Sequence, residues 1–220
     1  MHHLQRKILE KLLYAESLGY AALRPAKTES NLFAYHLEQL LKEKLIIKHD
    51  RSYTLSPAGL ALIDRLSQTT MAARTQPHIV TAIDLVNARG ETLLFKRSFQ
   101  PYLHRLGFPM GKIHLEETIA QAAARELQEK TGLQDIPLTH RGVVYIEATQ
   151  DGQLISKVLY HVFHGEVAEA LPVTAGPRGE CLWADHTTFT TEQLMPGFLR
   201  IKELLATQPG LFFDELSQAL

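Results

Sequence analysis

The chain has 220 residues, 45% of them hydrophobic, and a formal net charge of −1, which suits one large domain or two small ones with real cores. Its single cysteine, Cys181, excludes an intrachain disulfide framework and reads as buried filler rather than a nucleophile. No apolar run approaches the length of a membrane span and MHHLQRK opens no signal peptide, so a cytoplasmic protein with no membrane partner is expected.

From the N-terminus, LQRKILEKLLYAES carries Leu4, Ile8, Leu12 and Leu13 at helical spacing. A further helix is expected after Gly19 and Pro25, and Thr28 and Ser30 offer N-caps for SNLFAYHLEQLLKEK. In that helix Leu32, Phe33, Leu37, Leu40 and Leu41 are predicted to pack inward, with Asn31, Tyr35, His36, Gln39 and Lys42 facing out. LIIKHDRSYTLS reads as two short strands about a His49-Asp50-Arg51-Ser52 turn, and PAGLALIDRL as a last helix opened by Ser56 and Pro57. Helices followed by a hairpin and a final helix resemble, in that order, the winged helix-turn-helix domains of bacterial and archaeal regulators. The resemblance implies double-stranded DNA as a partner. Asn31, Tyr35, His36 and Gln39 would lie near bases, and Lys27, Lys42, Lys48 and Arg51 near phosphates. Charge agrees in sign only, at +3 through Thr70 and −4 beyond it. Winged helices also serve as protein-interaction or dimerisation modules.

The polar stretch Ser67 to His78, SQTTMAARTQPH, reads as a linker, giving an N-terminal domain over 1–70, a linker over 71–78 and a second domain over 79–220. In the second domain HIVTAIDLV, ETLLFKR, RGVVYIEAT, LISKVLYHVFHGEV and ECLWAD read as strands. Turns are expected at Asn87-Ala88-Arg89-Gly90 and Gln150-Asp151-Gly152-Gln153, and a helix PGFLRIKELLAT near the end. Between the second and third strands, TIAQAAARELQEK is a strong helix former with Thr118 as N-cap and Gly132 where a left-handed residue would end it. Glu126, Glu129 and Lys130 share one face of it, beside an apolar stripe of Ala120, Ala123 and Leu127. Strands interleaved with few helices predict an α+β fold with a mixed sheet between helices.

Residues 111–133, GKIHLEETIAQAAARELQEKTGL, carry Gly111, Glu117, Arg125, Glu126, Leu127, Glu129, Gly132 and Leu133 at fixed spacing. This segment resembles the box of the Nudix family of nucleoside diphosphate-X hydrolases, G-x5-E-x7-R-E-U-x-E-E-x-G-U with U aliphatic. It departs where Lys130 replaces the last glutamate, and Met110 and His114 stand where many members have glycine and glutamate. The resemblance implies an α/β/α sandwich and a diphosphate-containing nucleotide ligand. Glu126 and Glu129 would hold Mg²⁺ (or Mn²⁺), which takes a few carboxylates, waters and phosphate oxygens. Arg125 would pair with Glu117, and Gly111 would let the backbone turn and approach phosphate. For a third carboxylate, as metal ligand or general base, Glu180 is the candidate, with Glu166 and Asp185 behind it. Lys96 and Arg97 would reach phosphates, or else serve as solubilising edge-strand charges.

Lys130 sets the functional expectation. A cation about 4 Å from a divalent position costs several kcal/mol even at an effective dielectric near 20. Metal binding weakens, and the amine is free to contact phosphate itself. Two functions follow. In the first, the protein is a DNA-binding transcriptional regulator, expected to be a homodimer, whose Nudix-like domain binds a nucleotide-type ligand with little or no hydrolysis. In the second it is a Mg²⁺-dependent pyrophosphohydrolase using Glu126, Glu129 and Glu180, with the winged helix for targeting or dimerisation. The weakened metal site and the DNA-binding pattern point together to the first.

Overall fold

The computed structural model describes residues 1–64, 76–174, 176 and 178–220. The chain divides into two compact units, Met1–Gln76 and Pro77–Leu220. Most of the expected linker, and residues 65–70 of the expected first domain, lie outside the described residues.

The first unit runs α1 (His3–Leu13), β1 (Leu18–Gly19), α2 (Tyr20–Leu23), α3 (Ser30–Lys42), β2 (Ile46–His49), β3 (Ser52–Leu55) and α4 (Pro57–Asp64). Its strands form an antiparallel sheet in the order β1-β3-β2. The core gathers Ile8, Leu9 and Leu12 of α1 with Phe33, Leu37 and Leu40 of α3.

Three expectations for α3 are corrected. Its buried stripe is Phe33, His36, Leu37 and Leu40, a strict i, i+3, i+4, i+7 pattern. Leu32 falls one residue off that stripe and is 44% exposed. His36 lies on it, buried and stacked on the His2 ring at 4.0 Å, and so leaves the outward face where base contacts were expected. Neither Thr28 nor Ser30 caps the helix. The N-cap position is Glu29 without a side-chain bond, and Arg24 ties down this end by donating from Nη1 to Ser30 Oγ (2.8 Å) and from Nε to the Thr28 carbonyl (2.9 Å). Asn31, Tyr35, Lys27, Lys42, Lys48 and Arg51 are exposed, and Gln39 is half-buried.

The second unit contains β4 (His78–Asn87), β5 (Thr92–Arg97), β6 (Leu106–Gly107), β7 (Met110–Lys112), α5 (Ile119–Thr131), β8 (Thr139–Gln150), β9 (Gln153–Val167), β10 (Gly179–Ala184), α6 (Phe198–Thr207) and β11 (Phe212–Ala219). They build an eight-stranded mixed sheet in the order β10-β5-β4-β9-β8-β11, with β6 on β5 and β7 on β4. The β4–β9 and β8–β11 pairs are parallel, the others antiparallel. Alternation along β4 sorts its side chains between two cores. Ile83 and Leu85 meet Ala123 and Leu127 of α5, while Val80 and Ala82 belong to the core that contains Phe198 and Ile201 of α6. The sheet therefore lies between α5 and α6, an α+β arrangement with a mixed sheet.

β6, β7 and β11 were not expected. The first two are short pieces around Gly107, Pro109 and Gly111, where pattern has no length to show itself. β11, FFDELSQA, buries only Phe212 fully and reads as polar because it is an edge strand exposed on one face. On α5 the apolar stripe is also shifted. Ala120 is exposed, and Ala122, Ala123, Glu126 and Leu127 form the buried face.

Thr118 caps α5 as expected from its sequence. Its hydroxyl accepts from Gln121 N (3.2 Å) while Gln121 Oε1 accepts from Thr118 N (2.8 Å), and Gly132 ends the helix at φ 78°. Thr118→Ala is expected to lower unfolding free energy by about 1 kcal/mol. Urea denaturation of the full chain checks this, and an unchanged midpoint would remove the cap from the account.

Candidate functional site

The box folds around one arginine. Glu117, in the loop before α5, accepts from Arg125 Nε (2.8 Å) and Nη2 (2.7 Å), a two-point pair, and Nη2 also donates to the Lys112 carbonyl (3.0 Å). These bonds tie together β7, the loop and α5. The Glu117 carboxyl is driven down to about 2 by its bonds from Arg125, against a smaller desolvation effect, with help from the His114 amide. The same pairing raises Arg125 further above its ordinary value.

Glu126 is the buried carboxylate of the site, 5% exposed. Its Oε1 accepts from Arg125 Nη1 (2.7 Å), and its Oε2 is buried without a hydrogen-bond partner. Gly111 explains how it fits. A Cβ there would fall on the Glu126 carboxyl, so the glycine makes room for a side chain. This corrects the expectation of a sharp turn, because Gly111 sits in β7 opposite Thr81.

Lys130 lies one turn after Glu126, its Nζ 3.7 Å from Oε2 and its side chain 14% exposed. The ammonium also stands 5.4 Å from the centre of the Phe95 ring. Glu126 is thus bracketed by two cations. Glu129, 55% exposed, sits 3.5 Å from Arg125.

The proposed third carboxylate does not join them. Along β10, Cys181 and Trp183 pack in the core under α5, with Cys181 Sγ 3.4 Å from the Lys130 carbonyl, whereas Leu182 packs in the other core. Alternation turns Glu180 to the α6 side, where it pairs with Lys96 at 3.2 Å. Lys96 is thereby removed from the box as well. Glu166, highly exposed, lies 3.5 Å from His164 Nε2, and Asp185 accepts from Thr187 N (2.9 Å) to cap a short turn. Burial pushes the Cys181 thiol up to about 11, which excludes a ready thiolate.

Arg97 does reach the box. It lines a cavity of about 30 Å³ with Lys130, Phe95, Phe99, Met110 and Met195. Its guanidinium lies 3.6 Å from the Phe99 ring centre, Nε donates to the Phe99 carbonyl (3.1 Å), and among the described residues it has no carboxylate partner. The β5–β6 connection also lines a larger cavity of about 260 Å³ with Tyr102 and Arg105. Phe95 was legible in the alternation that places it beside Arg97, but Phe99 and Met195 carried no signal in the sequence.

A divalent cation fits this donor set poorly. Among the described residues no three His, Cys, Asp or Glu side chains gather to hold a metal ion. One oxygen of Glu126 is occupied by Arg125, and the other faces Lys130 where the metal would need a second carboxylate.

Among the described residues, no helix is long and apolar enough to cross a membrane. The NUDIX domain model matches residues 75–206, more than half of the chain. No curated protein matches it. Among solved structures, the mutator MutT protein of Bacillus halodurans shares 19% identity over 64% of this chain and 90% of its own, with a TM-score of 0.53. The Nudix domain of Shewanella oneidensis NrtR, solved with ADP ribose, shares 15% over 69% and 97%, with a TM-score of 0.52. A Nudix hydrolase from Nitrosomonas europaea shares 20% over 61% and 93%, with a TM-score of 0.50. At these identities the likenesses speak to the fold. The match over residues 75–206 identifies the family, and the chain belongs to the Nudix family.

Proposed function

We propose that the protein is a DNA-binding regulator whose Nudix domain binds a nucleoside diphosphate-type ligand and cleaves it weakly or not at all. The observation that carries this reading is Lys130, its ammonium 3.7 Å from Glu126 Oε2 at the position of a glutamate in the family's box. Members of the family generally use divalent metals such as Mg²⁺. Here a fixed monovalent charge stands beside the buried carboxylate instead. The solved complex of the NrtR Nudix domain makes ADP-ribose the first ligand to try. The 260 Å³ cavity beside Tyr102 and Arg105 is roomy enough for a heterocyclic base carried by such a ligand.

The output half of the proposal is a winged helix in the first unit, supported by the order α1-β1-α2-α3-β2-β3-α4 and the β1-β3-β2 sheet. In that geometry α3 enters the major groove with Asn31, Tyr35 and Gln39, and the β2–β3 hairpin brings Lys48 and Arg51 to the backbone. His36 is left out because it is buried. A homodimer would place two such units on two half-sites.

The test begins with selection of the full chain against a random duplex pool. The enriched duplex is expected to bind at least about tenfold more weakly to the Asn31→Ala/Arg51→Ala double variant, and its affinity is expected to change on adding ADP-ribose. The hydrolase reading is kept by the retained Arg125, Glu126 and Glu129. No enriched duplex, together with Mg²⁺-dependent turnover of ADP-ribose that is lost in Glu126→Gln, would replace the regulator with that enzyme.

A further inference from the structure

We infer that the pocket between Arg97 and Lys130 holds the non-bridging oxygens of one phosphate of the ligand's diphosphate directly, without a divalent cation. The inference rests on the reading that the Nudix domain binds a phosphorylated ligand, and it assigns the residues and the metal independence of that binding.

Two cations line a single cavity of about 30 Å³. Cations drawn into a protein are ordinarily paired with carboxylates. Among the described residues Arg97 has none, and Lys130 pairs only with Glu126, at 3.7 Å, a carboxylate that Arg125 already engages more closely at 2.7 Å. The neighbouring Lys96 serves as an internal control, since it sits on the same strand and is paired with Glu180 at 3.2 Å. The structure places β5 inside the sheet, between β10 and β4, so edge-strand solubility explains neither cation. The Glu180 pair accounts for Lys96 but leaves Arg97 unexplained, because its guanidinium is laid against Phe99 inside a recess.

Size and surroundings select the occupant. A volume of 30 Å³ takes about two water-sized groups, which matches the two non-bridging oxygens of one phosphate and excludes a nucleoside. Phe95, Phe99, Met110 and Met195 supply apolar walls, so attraction to the two cations is screened less than on an open surface. The one buried carboxylate that would repel an anion, Glu126, already has Arg125 on Oε1 and Lys130 facing Oε2. Arginine offers the planar donor fork and lysine a point charge, a pairing suited to phosphate oxygens.

The experiment is calorimetric titration of the full chain with inorganic pyrophosphate and, separately, with ADP-ribose, each once in EDTA and once in Mg²⁺. Binding is expected in EDTA and no tighter in Mg²⁺. Arg97→Gln and Lys130→Gln are each expected to weaken it at least tenfold, Lys130→Arg to retain it, and Lys96→Gln to leave it unchanged. Melting temperature of each variant separates loss of the site from loss of the fold. Binding that appears only with Mg²⁺, or that survives undiminished in folded Arg97→Gln, overturns this inference and leaves the ligand-binding reading standing. If neither pyrophosphate nor ADP-ribose binds in either buffer, that reading falls as well.

Discussion

Lys130→Glu is expected to make the Nudix domain dependent on Mg²⁺. The substitution removes the ammonium that faces Glu126 Oε2 at 3.7 Å and puts a second carboxylate beside a buried one. Without metal the two carboxylates repel, so the variant should melt below the wild type in EDTA and recover when Mg²⁺ is added. Metal affinity should rise by about 10–100-fold or more, since changes even to outer-shell groups move it by that much. Mg²⁺-dependent nucleotide release from ADP-ribose is expected to rise with it, while ligand binding in EDTA weakens. The measurements are thermal denaturation with and without Mg²⁺ and product release across a magnesium titration. A hydrolysis rate and melting temperature indifferent to Mg²⁺ would contradict the role given to Lys130.

Removing the central arginine should have the largest effect on stability. Arg125→Met breaks both bonds to Glu117, the bond to the Lys112 carbonyl and the bond to Glu126 Oε1, and leaves the buried Glu126 carboxylate with Lys130 at 3.7 Å and no hydrogen bond among the described residues. A loss of about 3 kcal/mol is expected, because breaking one side of a buried ion pair strands the other charge. The pH dependence carries a separate signature. Glu117 titrates near 2 in the folded protein instead of at its ordinary 4.5, so its contribution is fully present above pH 4.5 and is lost as pH falls from 4.5 toward 2. The stability difference between wild type and Arg125→Met should therefore shrink over that interval. Urea denaturation at a series of pH values checks it, and a gap that stays constant down to pH 2 would show that Glu117 owes nothing to Arg125.

Local chemistry made the box legible. Thr118, Gln121 and Gly132 define a helix by capping rules that act within a few residues, and Glu117 and Arg125 meet because a short loop and two helical turns bring them together. Other parts depend on partners far along the chain. Leu32 and His36 exchanged their expected places because the stripe on α3 is set by what α1 offers, including the ring of His2. Glu180 looked like a metal ligand in a Gly/Pro-rich stretch, but the pairing of β10 with β5 turned it toward Lys96 on the far side of the sheet.

By itself the sequence determined the family's box, its one departure at Lys130, the strands with strong alternation and the two helices that flank the sheet. These rest on spacing and on side chains that act on near neighbours. Only the tertiary structure decided that Gly111 makes room for the Glu126 carboxyl, that Arg97 rather than Lys96 joins Lys130, and that β11 completes the sheet edge. Each of these depends on which strand lies beside which, and therefore on long-range packing that one strand's residues do not encode alone.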